Sequence, residues 1–141
     1  MGARRSLPAW CRAHPLATDA AFAVAILATS LLAIVSMWHD PVPDGYRRPD
    51  LLAVALHVVG ILPIALRRRA PVGALVVMTA ALLVSQGLAY EDHGAGIGVL
   101  VGAYSVAAHA QPRVSWRWAV GFGALLSAWI VVGIALEAAN A

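Results

Sequence analysis

Three consecutive arginines, Arg67-Arg68-Arg69, stand between two long apolar stretches. A run of guanidinium charges with no adjacent acid is costly to leave in hydrocarbon, so it belongs at a membrane surface. The arginine excess of cytoplasmic loops makes that surface the inner one. Leu51–Leu66 leads into the run and Val72–Tyr90 leads out of it. The segment therefore reads as the tight inner turn of a transmembrane hairpin.

Composition agrees. Of 141 residues, 61% are hydrophobic and 12% charged, against about 45–50% and about 25% in soluble domains. Mean hydropathy is +0.78. A water-soluble domain of this size has no interior large enough for so many apolar side chains, whereas lipid-facing positions accept them. The isoelectric point near 9.8 invites a nucleic-acid reading. The ten basic residues, all arginine, lie instead at the ends of apolar segments rather than on one face, so no nucleic-acid partner is expected. Cys11 is the single cysteine, which excludes an intramolecular disulfide and a zinc site built from several cysteines.

Residues 1–15 form a short basic tail with Arg4, Arg5 and Arg12. Pro15 suits the first turn of a helix, where its missing N–H costs little. Spans are expected at about 16–38, 51–66, 72–90, 94–110 and 119–136, with a short C-terminal tail at 137–141. The first, Leu16–Trp38, is too long for the roughly 7–15-residue apolar region of a secretory signal. At 1.5 Å per residue it reaches roughly 34 Å, enough to cross hydrocarbon about 30 Å thick. Pro41, Pro43, Gly45 and Pro49 make residues 39–50 a loop. The expected fold is an all-α integral membrane bundle of about five transmembrane helices.

Orientation follows from counting arginines. With the N-terminus inside, Arg4, Arg5, Arg12, Arg67, Arg68, Arg69, Arg113 and Arg117 are inner, and only Arg47 and Arg48 are outer. Asp40, Asp44, Asp50, Glu91, Asp92 and Glu137 then fall outside. Trp38, Tyr46, Tyr90, Trp116 and Trp118 sit near span ends, where an interfacial aromatic belt belongs. The chain is expected in the plasma (inner) membrane, with the lipid bilayer as its first partner and Arg67, Arg68 and Arg69 as topology anchors.

Gly94, Gly98 and Gly102 recur every four residues and share one helix face. Such a stripe lets a neighbouring backbone approach closely. Packing within the bundle and a homodimer interface both fit it. Asp19, one turn into the first span, and His57, in the middle of the second, are the candidate intramembrane polar residues. Asp19 suits the N-terminal helix dipole, and one interhelical hydrogen bond would satisfy His57. Glu91-Asp92-His93 with His39-Asp40 offers carboxylates and imidazoles to a cation, but without metal-ligand spacing; a solvated turn is the expectation. No nucleophile–base pair and no phosphate-binding loop stands out, so no catalytic residue, cofactor or metal is expected.

Three stretches carry a resemblance. His14-Pro15-Leu16-Ala17-Thr18-Asp19-Ala20 opens the first span. Leu62-Pro63-Ile64-Ala65-Leu66-Arg67-Arg68-Arg69-Ala70-Pro71 closes the second, and Ala103-Tyr104-Ser105-Val106-Ala107-Ala108-His109 closes the fourth. In this order they resemble the N-terminal membrane domain of actinobacterial sensor histidine kinases of the nitrate-sensor/desaturase-regulator type. The resemblance implies a signal-input domain of two-component signalling. Its relatives continue with a further span, a phospho-accepting histidine helix and an ATP-binding domain, none of which is in this sequence. A truncated or stand-alone sensor is the expectation, and an odd span count fits truncation. On its own the chain is expected not to be an enzyme and to bind no ATP. The alternative is a small multi-pass transporter or channel-like protein working through Asp19 and His57.

Overall fold

The computed structural model describes residues 13–92, 94–111, 113, 116–118, 120–125, 128 and 131. They form an all-α structure. Helix α1 spans Pro15–Ser36 and α2 spans Leu51–Ile61; a 3-10 segment, Leu62–Leu66, follows directly. Helix α3 spans Pro71–Gly87 and α4 spans Ala95–His109. The described residues between 113 and 131 are all helical and constitute α5. The tail expected at residues 1–15 falls outside the described residues up to residue 12, as does all of 137–141.

The helices start where local chemistry dictates. Pro15 and Pro71 occupy the first turns of α1 and α3, where no intrahelical donor is needed. Asp50 caps α2, its Oδ1 accepting from the backbone N–H of Leu52 at 2.9 Å and of Ala53 at 3.0 Å. Asp92, two residues before the N-cap of α4, also accepts from the helix start, from Gly94 N–H at 3.0 Å and from Gly96 N–H. Both carboxylates satisfy donors that the first helical turn leaves unpaired and sit at its positive end.

The helices also stop earlier than the apolar runs suggest. The single span expected over 51–66 divides at Ile61. Pro63 has no N–H to give to the carbonyl four residues back, and the chain tightens into the 3-10 segment. The span expected over 72–90 ends at Gly87. Ala89 turns left-handed at φ +59°, and Tyr90 N–H bonds back to the Ser85 carbonyl at 3.0 Å while Ala89 N–H bonds to that of Gln86 at 2.9 Å. This paired closure is a Schellman motif.

Five helices are present, but among the described residues only α1, with 22 residues, is both long and apolar enough to cross a membrane. The segments Leu51–Leu66, Pro71–Gly87 and Ala95–His109 are apolar but shorter. Of the five expected spans, the second and third are shortened, by Pro63 and by the Ala89 reversal; the fifth, expected over 119–136, lies largely outside the described residues.

The chain alternates between two ends. Arg67 and Arg68, from the turn before α3, reach Asp19 at the start of α1. At the opposite end Arg47 N–H donates to the Ala89 carbonyl at 2.7 Å, joining the loop before α2 to the turn after α3. Between the ends lies one small apolar core of Ala23, Ile61, Ile64, Leu75, Met78, Val99 and Val106, with Trp118 and Phe122 of α5 packed on it.

Candidate functional site

The ion pairs found among the described residues form two clamps, one at each end of the bundle. The first clamp centres on Asp19, whose side chain is 1% exposed. Arg67 donates to its Oδ1 through Nη2 at 2.7 Å and Nε at 3.2 Å. Arg68 donates through Nε to Oδ2 and through Nη2 to Oδ1 at 3.3 Å. The Arg67 guanidinium also stacks over the Phe22 ring, 5.3 Å from its centroid. Asp19 and Phe22 are three residues apart, hence neighbours on one face of α1. Together they grip one arginine by its charge and by its flat face. A carboxylate this enclosed persists only when paired, because desolvation costs several kcal/mol per ion. Two guanidiniums against one carboxylate supply the pairing and leave a net positive charge outward. Arg69, the third of the run, is exposed and forms no ion pair among the described residues.

The second clamp, at the opposite end, is Arg47, Asp50 and Tyr90. Tyr90 is 2% exposed, and its hydroxyl donates to Asp50 Oδ1 at 2.7 Å. Arg47 Nη2 donates to Asp50 Oδ2 at 2.7 Å, and its guanidinium lies 5.1 Å from the Tyr90 ring centroid. Asp50 thus caps α2 while holding the turn after α3. The Tyr90 hydroxyl, then the Ala53 backbone bond, hold the Asp50 carboxyl below its usual value. Burial, reinforced by the bond to Asp50, pushes the Tyr90 phenol above its own.

These shifts set the pH window of the clamp. A lowered carboxyl contributes stability above its unfolded value, about 3.9, and loses it as pH falls through the folded value. A raised phenol contributes below about 10 and loses its share as pH rises toward the folded value. Thermal stability in detergent should therefore be flat between about pH 5 and 9. It should fall at both extremes. Asp50→Asn keeps a capping side chain but should flatten the acid limb, and Tyr90→Phe should flatten the alkaline one. Limbs identical to wild type in both variants would exclude the clamp as their source.

His57 is 1% exposed. Its Nδ1 lies 2.8 Å from the Ala53 carbonyl, one turn back in α2. A carbonyl can only accept, so Nδ1 carries the proton and donates. His57, Ile34 and Tyr90 line a cavity of about 20 Å³ beneath the Pro41–Pro43 loop, with Asp40, Arg47 and Glu91 also on its wall. That is room for about one water molecule.

The glycine stripe packs inside the chain. A Cβ on Gly98 would meet the Gly60 carbonyl oxygen at 2.8 Å, so α4 and α2 touch backbone to backbone there. Gly102 faces Met78 and Leu75 of α3. Gly94, at φ +104°, is the N-cap of α4, a conformation L residues rarely adopt.

The sequence identified Asp19 and the triple arginine separately but not their union. The signal was present: N-in topology puts the start of the first span and the second–third turn on one side. Asp50 was expected in a loop and Asp92 in a solvated turn; that each stands just before an apolar run is the signal that could have found their bonds to the helix starts. Nothing local announced Tyr90 as a partner of Asp50, 40 residues away. His93 and Cys11 lie outside the described residues, and those residues contain no cluster of three or more His, Cys, Asp or Glu that could hold a metal.

Among curated proteins and among solved structures, nothing matches the chain. The profile of the domain of unknown function DUF7134 matches residues 7–140, nearly all of the chain, which belongs to that family.

Proposed function

We propose that this chain is a membrane-embedded signal-input domain of the sensor histidine kinase kind, a five-span bundle with its N-terminus in the cytoplasm and phosphotransfer left to a separate transmitter. The reading draws on the three stretches that resemble such kinases, on the eight-to-two arginine bias and on the character of the outer surface. Leu32, Val35, Leu51 and Leu100 are all well exposed, as lipid-facing side chains are. Only 22% of the apolar window of α1 is buried, whereas the core helix of a soluble protein is mostly buried. The shorter helices cross with the help of flanking turns and local bilayer thinning, at a modest cost per ångström of mismatch.

The observation that carries the signalling half is the Asp19 clamp. A sensor relays by small helix displacements between discrete packings, which requires rigid links at the surfaces. Asp19 links α1 to the turn between α2 and α3. A transporter working through Asp19 needs that carboxylate open to a water path; here two arginines enclose it.

Two experiments test the proposal. With Cys11 replaced by serine, Asp44→Cys should react with a membrane-impermeant maleimide in intact cells, and Arg69→Cys only after permeabilisation. The reverse pattern would overturn the topology. Joined through an added sixth span to a histidine-kinase transmitter, the domain should set autophosphorylation in vesicles, and Asp19→Asn should change the basal level severalfold. A transmitter indifferent to Asp19→Asn would defeat the signalling reading and leave the topology standing.

A further inference from the structure

A slot of about 420 Å³ runs between α3 and α5, walled by Leu75, Thr79 and Leu83 on one side and Trp118, Phe122 and Leu125 on the other. Its volume lies within the range of small-molecule sites, about 300–1,000 Å³. The lining is apolar but for the Thr79 hydroxyl. From Leu75 to Leu83 the slot extends about 12 Å along α3. Helix α4 returns from the far end, so α3 and α5 rise from the same end in the same direction. Each rises from a basic turn: Arg69 precedes α3, and Arg113 and Arg117 stand at the start of α5. Arg67 and Arg68 are taken by Asp19. Arg69, Arg113 and Arg117 are exposed and form no ion pair among the described residues. Trp116, 71% exposed, and half-buried Trp118 sit at the same level, the depth that amphipathic rings favour at a bilayer surface.

The geometry points to an anionic phospholipid as the occupant, one acyl chain in the slot and its phosphate held by Arg69 and Arg117. Charge complementarity selects it. Another apolar helix would fill the slot but leave the arginines uncompensated; a free anion would meet the arginines but leave the slot empty. Guanidinium groups pair with phosphate oxygens in a planar, two-pronged geometry, and basic pockets at the cytoplasmic ends of membrane helices take anionic headgroups. The site rests on the membrane reading above and adds a specific lipid to it.

The test uses Trp118 as reporter in a variant with Trp10, Trp38, Trp116 and Trp129 replaced by phenylalanine. The protein is reconstituted in vesicles containing phosphatidylglycerol or phosphatidylcholine with brominated acyl chains, at equal mole fraction. Brominated phosphatidylglycerol should quench Trp118 more strongly. Arg69→Gln and Arg117→Gln should each reduce that preference about fivefold, with no change in flotation. Native mass spectrometry of the wild-type chain should likewise retain phosphatidylglycerol over phosphatidylcholine, independently of the tryptophan replacements. Equal quenching by both lipids with equal retention would overturn the site. So would absence of quenching by either, which would mean that protein, a second copy or another helix, covers the slot. Failure to float with vesicles at all would overturn the membrane reading itself.

Discussion

Arg67→Met with Arg68→Met should cost about 3–5 kcal/mol of stability, the usual penalty for stranding one member of a buried ion pair. In a domain of this size that lowers the unfolding midpoint by roughly 10 °C or more. The direction follows from geometry: Asp19 is 1% exposed, and the four hydrogen bonds found at it all come from these two arginines. The converse, Asp19→Leu, should cost less, about 2 kcal/mol by the same reasoning, because the arginine heads can swing out to water. The decisive variant combines all three substitutions. An apolar replacement of a whole buried ion group is often neutral, so the triple variant should recover most of the stability lost by the arginine pair. Thermal unfolding in detergent over the full cycle isolates the coupling. A double-arginine variant within about 1 kcal/mol of wild type would show that the clamp contributes nothing.

Gly98→Ala should be nearly as damaging for a single methyl group. The added carbon would lie 2.8 Å from the Gly60 carbonyl oxygen and 3.9 Å from the Ile61 Cα. Neither is a side chain that can swing aside, so α2 and α4 must separate. Overpacking of this kind costs about 1–3 kcal/mol, and Gly98→Leu should exceed that range. Gly102→Ala meets the flexible Met78 and Leu75 side chains as well as the Leu75 backbone and should be milder. Gly87→Ala meets nothing within 4 Å and should leave the unfolding midpoint almost unchanged. The ranking Gly98, Gly102, Gly87 is the test; equal effects at all three would mean that loss of helix flexibility, not the close approach, is responsible.

Local patterns explain what the sequence reveals here. The apolar runs and their proline and aspartate punctuation give the helices and nearly all of their starts. The triple arginine gives the hairpin. Helix ends were harder to place, because residues 88–90 are as apolar as the helix before them and the left-handed turn at Ala89 has no glycine to announce it. Pairings across the chain were harder still. Arg67 finds Asp19 and Tyr90 finds Asp50 over 48 and 40 residues respectively, and no periodicity records such a meeting. The glycine stripe told which face of α4 is close-packed, but not that Gly60, isolated in α2, is its counterpart.

The Asp19 clamp also has a bearing on how the protein is made. On the membrane reading proposed above, Asp19 enters the bilayer with α1, yet its nearer arginine follows 48 residues later. At about 5–20 residues per second of synthesis, the carboxylate waits roughly 2–10 s for its counter-ion. Over that interval only the apolar side chains of α1 would hold it in the membrane. Emergence of the turn before α3 would then close the ion group. On that reading the clamp would act as a checkpoint in biogenesis: a chain interrupted before residue 67 would present a membrane helix with an uncompensated acid.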